Sequence, residues 1–320
     1  MSTIALCIPA YNAAWCLPRL LKSAKKQIIA FDEILVYNDC STDNTEEIAI
    51  KHGAKVINGS ENKGCSFGKN KLAAVAKSEW IHFHDADDDL LPNFTEVAHE
   101  WLKKNENPDI LLLNFEYKDF DTGKILGYLN YNREKLLKDT IRFVLENKIV
   151  NFAICNTKKF IEIGGFDLDP EVLYNEDRAF YIRAATNGLS FDYEPRITCI
   201  NFSYSVSMSN SNQLKCIEAY LKVSEKAIAA VGNKYQKEIA LGLWNNATLA
   251  ASYKAWDLVK ENIHVAVKLN GRTPLGQKLI VNILSFINPY LAYWIREKLI
   301  RLLKPQMRKN NYLVPIKFKS

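Results

Sequence analysis

Several signatures that would assign this chain quickly are missing. Its seven cysteines (Cys7, Cys16, Cys40, Cys65, Cys155, Cys199 and Cys216) are scattered, odd in number and never spaced as CxxC. That pattern excludes a disulfide framework and a zinc ribbon, and fits reduced thiols. The N-terminal "MSTIALCIPAYN" has no basic segment, long apolar run and cleavage site in series, so no secretory signal is expected. The run Leu279–Ile295 is broken by Asn282, Ser285, Asn288 and Pro289, which makes it a poor spanning helix. There is no G-x-G-x-x-G fingerprint, no G-x-x-x-x-G-K-[ST] phosphate loop and no calcium-binding EF-hand spacing. No repeat or low-complexity tract occurs. With 320 residues, 48% of them hydrophobic, the chain can bury a sizeable core, as one domain or one domain with an appendage.

What is present is an alternation of strand and helix patterns. "TIALCIPA", "EILVYND", "AKVING" and "EWIHFHD" read as strands, and "CLPRLLKSAKKQI", "STDNTEEIAIKHG" and "GKNKLAAVAKS" as the helices between them. Asp43 and Glu46 suit a capping box at the second helix. This order predicts an α/β fold with a mostly parallel central sheet flanked by helices. Further on, "FEYKDFDTGKILGYLNY" reads as a hairpin turning at Asp121-Thr122-Gly123. "NREKLLKDTIRFVLEN" and "NEDRAFYIRAATNG" read as helices, "NFAICN" and "RITCINF" as strands. Strand signals fade after about residue 210, which predicts a catalytic body over 1–210 and a helical region over 211–320.

Ligands in open α/β sheets bind at the carboxyl ends of the strands. Here those ends are polar, and "HDADDDLL" is the extreme case, with Asp85, Asp87, Asp88 and Asp89 in five positions. Carboxylates so close repel one another unless a cation intervenes. A Mg²⁺ or Mn²⁺ ion carrying phosphate oxygens fits such a D-x-D. The same residues also suit the start of a helix near Leu91, with Asp89 as its cap. His82 and His84 share one face of the preceding strand, where a hydrogen-bonded core histidine is commoner than a metal ligand.

"IPAYN", "VYNDCSTDNT", "NKGCSFGKN", "HDADD", "GGFD" and "NED", in this order and spacing, resemble the inverting family 2 glycosyltransferases with the GT-A fold, over roughly residues 3 to 205. The resemblance implies transfer of a single sugar from a nucleotide-sugar, UDP-linked by expectation. Pro9, Ala10 and Tyr11 would line the nucleobase pocket and Asp39 would bond the base edge. Lys69, followed by Asn70, would meet the diphosphate, although the family more often has Ala-Arg where this chain has Gly68-Lys69. Asp85, with Ala86 beside it, would hold the ribose and sugar, and Asp87 would ligate Mn²⁺ or Mg²⁺; Asp88 is a weaker candidate. Of the pair Glu176 and Asp177, Asp177 would be the general base. Gly165, Phe166 and Asp167 would lie on the acceptor side. The family's histidine after this pair has no counterpart in "CINFSYSVSMSNS", and the Q-x-x-R-W motif of processive synthases is absent. A sugar-phosphate nucleotidyltransferase would show a Gly-rich basic loop after strand one, which "IPAYNAAW" does not offer. An inactive nucleotide-sugar-binding protein would have less reason to keep Asp85, Asp87 and Asp177.

The formal net charge of +6 is concentrated in the tail, from Arg296 to Lys319. Its helix-forming part sets Leu291, Trp294, Ile295 and Leu299 beside Arg296, Lys298 and Arg301. That composition suits an anionic membrane surface or a helix packed on the body, and it lacks the aromatic interleave of a nucleic-acid binder. The expected placement is cytoplasmic, peripheral on the inner face of the membrane, with a glycan or lipid-linked glycan of surface polysaccharide or lipopolysaccharide as acceptor.

Overall fold

The computed structural model describes residues 2–104, 109–204, 211–272, 274 and 279–309. The boundary expected near 210 and the basic end beyond 309 lie outside the described residues.

The centre of the fold is β1 (Ile4–Ala10), whose residues are nearly all buried because strands cover it on both edges and helices on both faces. β2 (Glu33–Asn38) and β4 (Trp80–Phe83) flank it in parallel, and β3 (Lys55–Asn58) extends the sheet beyond β2. The chain therefore builds outward from β1 to β3 and returns to the other side of β1 at β4. That reversal opens a crevice at the carboxyl ends of β1 and β4.

Beyond β4 the sheet is mixed. Its order is β3-β2-β1-β4-β8-β6-β9-β5, with β7 (Ile125–Tyr128) paired to β6 (Ile110–Asp119). β8 (Ala153–Asn156) runs antiparallel to both β4 and β6, while β9 (Phe191–Ser203) is parallel to β6. The short β5 (Asp89–Leu90) closes the edge against β9. The expected parallel arrangement thus holds for the first four strands. β8 reverses it because the chain returns from the β6–β7 hairpin at the opposite end of the sheet.

α1 (Leu17–Lys25) buries the predicted stripe of Leu17, Leu20, Leu21 and Ala24. At α2 (Thr45–Lys51) the expected capping box does not close. Asp43 accepts from Thr45 N and Ala14 N, both at 3.0 Å, but Glu46 turns to Asn58 Nδ2. α3 (Cys65–Val75) starts ahead of its predicted position. A β-carbon at Gly68 would lie 2.8 Å from the Tyr37 ring, so this ring leaves room only for glycine unless it shifts. α4 (Phe94–Lys104) starts later than predicted and is not capped by Asp89, which sits in β5.

The helix read over 132–147 is two, α5 (Arg133–Lys138) and α6 (Thr140–Glu146), broken at Asp139, whose side chain caps α6. α7 (Thr157–Glu162) and α8 (Glu176–Thr186) complete the body. α9 (Gln213–Val231) packs on α8, joining the C-terminal helices to the catalytic half. α10 (Gln236–Ser252) and α11 (Trp256–Asn270) also replace one predicted helix, with the break at Lys254 (φ +60°). α12 (Leu279–Ile287), α13 (Pro289–Leu303) and α14 (Gln306–Lys309) end the described chain.

Candidate active site

One cleft of about 1080 Å³ lies over the crevice. β1 supplies Pro9 and Ala10, with Tyr11 just beyond; β2 leads to Asp39; β4 leads to Asp85, Ala86 and Asp87; and α8 begins with Glu176 and Asp177. Nine residues singled out in the sequence thus reach one cavity from four elements, because strands ending at one sheet edge deliver their loops there.

The acidic cluster divides by partner. Asp88 is buried and accepts from Phe202 N and Asn201 Nδ2, each at 2.8 Å, so it holds β9 against the loop. Burial, with the charges of Asp87 and Asp85 behind it, holds its carboxyl well above the usual range. Asp89 takes Arg19 Nε at 2.9 Å. The Arg19 guanidinium also donates to the Asp87 carbonyl and lies 4.3 Å from the Phe202 ring centroid. Asp85 faces Lys69 Nζ at 3.4 Å. The Asp87 carboxylate alone has no ion pair and no hydrogen bond to another side chain among the described residues. Burial first, then the Asp85 charge, pushes it up to about 6, against the lowering effect of its own backbone N–H and the more distant Arg19 and Lys69. A hard oxygen donor left uncompensated beside a second carboxylate suits Mg²⁺ or Mn²⁺.

Lys69, expected to meet the diphosphate, is not among the residues that line the cleft. It is 1% exposed and its ammonium lies between two carboxylates, 3.4 Å from Asp85 Oδ1 and 3.7 Å from Asp177 Oδ1. Phe166 lies beneath it, ring centroid 5.0 Å from Nζ. Asp177 is pushed up to about 7, chiefly by burial, against the lowering effect of Lys69. Its Oδ1 accepts no hydrogen bond, and neither does Oε2 of Glu176. A carboxylate poised near neutrality at the edge of a cleft is equipped to take a proton.

Asp39 is buried and already engaged, accepting from Lys63 N at 2.9 Å and Gly64 N at 2.7 Å. It shapes the loop into α3 while its carboxylate still borders the cleft. Gly165, Phe166 and Asp167 do not line the cleft. Phe166 is buried and stacked on Phe180 at 4.8 Å. Gly165 (φ +61°) presses on Asn70, whose amide holds both the N–H and the carbonyl of Phe166. Asp167 is 2.7 Å from Lys226 Nζ and borders an adjoining cavity of about 520 Å³. The "GGFD" turn therefore supports Lys69 from behind, for the plain reason that phenylalanine at this position enters the core.

His82 and His84 are buried beside Cys199, the one close trio of metal-ligating side chains among the described residues. They are hydrogen-bonded. His82 Nδ1 lies 2.8 Å from the Ala153 carbonyl, and its Nε2 lies 2.9 Å from His84 Nδ1. Burial lowers both rings, His82 to about 4, so they are neutral. Nδ1 of His82 must donate to the carbonyl, so its Nε2 accepts from His84. Both nitrogens of His82 are thereby used within the core.

Sequence reading missed Arg19, Lys148, Tyr174 and Arg178. Arg19 stands off the apolar stripe of α1 and reads as a solvent-facing residue. Lys148, Tyr174 and Arg178 line the cleft, and Tyr174 holds a left-handed backbone (φ +76°) three residues before Asp177. Non-glycine residues in that region often mark functional turns.

The sequence profile of glycosyl transferase family 2 matches residues 5–164, half of the chain. The chain belongs to glycosyl transferase family 2. An uncharacterised glycosyltransferase of Haemophilus influenzae is 27% identical over 239 residues, covering 70% of this chain and 79% of that protein. The putative glycosyltransferase EpsH of Bacillus subtilis is 26% identical over 259 residues, covering 74% and 72%. Among solved structures, S. aureus TarS 1–349 in complex with UDP-GlcNAc superposes with a TM-score of 0.72 at 18% identity, covering 94% of this chain and 92% of TarS 1–349. The mannosyltransferase PcManGT of Pyrobaculum calidifontis, in complex with GDP-Man and Mn²⁺, gives 0.59 at 15% identity over 97% and 84%. These likenesses establish the GT-A fold. The glycosyltransferase profile ends before Glu176 and Asp177, so their place in the site rests on the geometry above.

Proposed function

We propose that this glycosyltransferase moves a single sugar from a UDP-linked donor to a hydroxyl of a glycan or lipid-linked glycan, with inversion at the anomeric carbon. The observation that carries the reading is the place of Asp177: its carboxylate borders the cleft that also holds Asp85 and Asp87, lies 3.7 Å from Lys69 Nζ, and is pushed up to about 7, chiefly by burial. The UDP-GlcNAc complex of TarS supports the choice of donor.

In this reading Pro9, Ala10 and Tyr11 form the nucleobase wall and Asp39 meets the base edge. Asp85 faces the ribose and sugar. Asp87, with Asp85 beside it, holds Mn²⁺ or Mg²⁺, which when bound neutralises diphosphate charge. Asp177 takes the proton from the acceptor hydroxyl as its oxygen bonds to the anomeric carbon. The bond from that carbon to the phosphate oxygen breaks on the opposite face, and its electron pair leaves with UDP. Lys69 keeps Asp177 ionised for this step, and Glu176 borders the acceptor.

The test is UDP release from a panel of UDP-sugars with Mn²⁺, followed by transfer to a glycan panel. Release that depends on Asp177 and Asp87 supports the proposal. Pyrophosphate release from a nucleoside triphosphate and a sugar phosphate, without UDP release, would overturn it.

A further inference from the structure

α12 and α13 wear their apolar residues on the outside. On α12, Leu279, Ile283, Phe286 and Ile287 form one face and are 75%, 57%, 67% and 76% exposed, while the inward face holds Val281 and Ser285. On α13, Leu291, Trp294 and Leu302 share the outward face with Lys298, at the i, i+3, i+7, i+11 spacing of one helical stripe. The inward face is partly polar. Glu297 is 1% exposed and takes Arg301 Nε at 2.9 Å and both Arg308 Nε and Nη2 at 2.8 Å. Tyr293 donates to the Trp244 carbonyl and Arg301 to that of Ser252. The outward direction of the α13 stripe is therefore fixed by the buried Glu297 ion pairs and by the hydrogen bonds of Tyr293 and Arg301 to α10.

A contiguous exposed apolar surface of this kind marks a docking site. Its charge decides the occupant. Lys298 stands within the face, 5.3 Å from the Trp294 ring, and Lys304 ends it. Lysine beside tryptophan on an apolar helix face is the arrangement of an interfacial helix, the ammonium rising to the headgroups while the ring sits at their level. A second copy fits poorly, because a two-fold contact over this face would set Lys298 against its own mate. No helix among the described residues is long and apolar enough to cross a membrane, so the face would lie on a bilayer.

We infer that α12 and α13 form a monotopic docking face for an anionic bilayer. The inference stands apart from the transferase reading, since no residue of the cleft enters it.

The test uses the full chain and vesicles of phosphatidylcholine with or without phosphatidylglycerol. Wild type is expected to sediment with the anionic vesicles and several-fold less with neutral ones. The variant Ile283→Ser, Phe286→Ser, Ile287→Ser should lose at least tenfold in vesicle affinity while UDP binding is unchanged. A second variant, Lys298→Glu with Lys304→Glu, should lose the preference for anionic vesicles. Equal sedimentation of wild type and the triple variant would overturn the inference. So would a concentration-dependent dimer that the triple variant abolishes, because the face would then belong to a second copy. Retained anionic preference in the charge variant would also overturn it.

Discussion

Lys69 is the residue whose removal reveals most. Its ammonium is 3.7 Å from Asp177 Oδ1 and is shut away from solvent. An opposite charge at such a distance lowers a carboxyl by about one to three pKa units. In Lys69→Met that support disappears, and Asp85 is left facing Asp177 as an unshielded like charge. Asp177, at about 7 with the lysine present, should then titrate at roughly 8 to 10. A general base works only when deprotonated, so activity rises with pH through its pKa. At pH 7 the ionised fraction would fall from about one half to between roughly one tenth and one thousandth, and kcat/KM with it. The assay is UDP release as a function of pH, from about pH 5.5 to 9.5, for wild type, Lys69→Met and Lys69→Arg. The methionine variant should recover at alkaline pH, and arginine, which keeps the charge, should leave the profile near wild type. A uniform loss at every pH, with the limb unmoved, would refute the reasoning. Lys69 would then act on the diphosphate, the role expected from the sequence.

Four further outcomes can be checked. Asp177→Asn should lower kcat by about 10²–10⁴ while leaving UDP binding intact, as loss of a general base does. The same variant bears on stability: Asp177 is raised from its ordinary 3.8 to about 7, so its contribution is full below 3.8 and is lost as pH rises through about 7. Thermal melts should therefore show the variant gaining on wild type as pH rises from about 4 to about 7, with little further change above. Asp87→Ala should abolish the Mn²⁺ dependence of UDP binding, read by calorimetry with and without EDTA; wild-type binding indifferent to EDTA would contradict this. Gly165→Ala places a methyl group against the Asn70 amide at a left-handed φ, and should cost about 1–3 kcal/mol, seen as a fall in Tm.

The sequence made most elements of the body legible because their signals are local. The stripe of α1, the hairpin at Asp121-Thr122-Gly123 and the apolar run of β1 each follow from spacing within a dozen residues. Convergence of Pro9, Asp39 and Asp85 was legible too, since a strand-end position is a topological property, whereas Asp177, in the first turn of α8, was reached only through the family resemblance. What stayed hidden depends on partners far along the chain. The direction of β8 is set by how the chain returns to β4 and β6. Arg19 meets Asp89 across 70 residues, and Asn70 clasps Phe166 across 96. The breaks at Asp139 and Lys254 arise from single residues that leave helical geometry inside otherwise continuous helical patterns.

The burial of Lys69 also changes the charge balance of the cleft. Its ammonium, set between Asp85 and Asp177, is already shared by two carboxylates before a diphosphate binds. Among the described residues lining the cleft the remaining cations are Lys148 and Arg178. Arg178 is already tied to the Leu145 carbonyl and stacked on Tyr220 at 4.6 Å. One lysine would then face a multiply charged diphosphate, in a cleft that also presents Asp39, Asp85, Asp87, Glu176 and Asp177. Diphosphate placed there without a further cation would be repelled. Asp88 and Asp89 have side-chain partners and Asp87 does not, so the deficit and the free ligand coincide at one carboxylate. That coincidence supports the proposed place of a divalent ion at Asp87, where it would serve the leaving group while Lys69 would serve the proton transfer at Asp177.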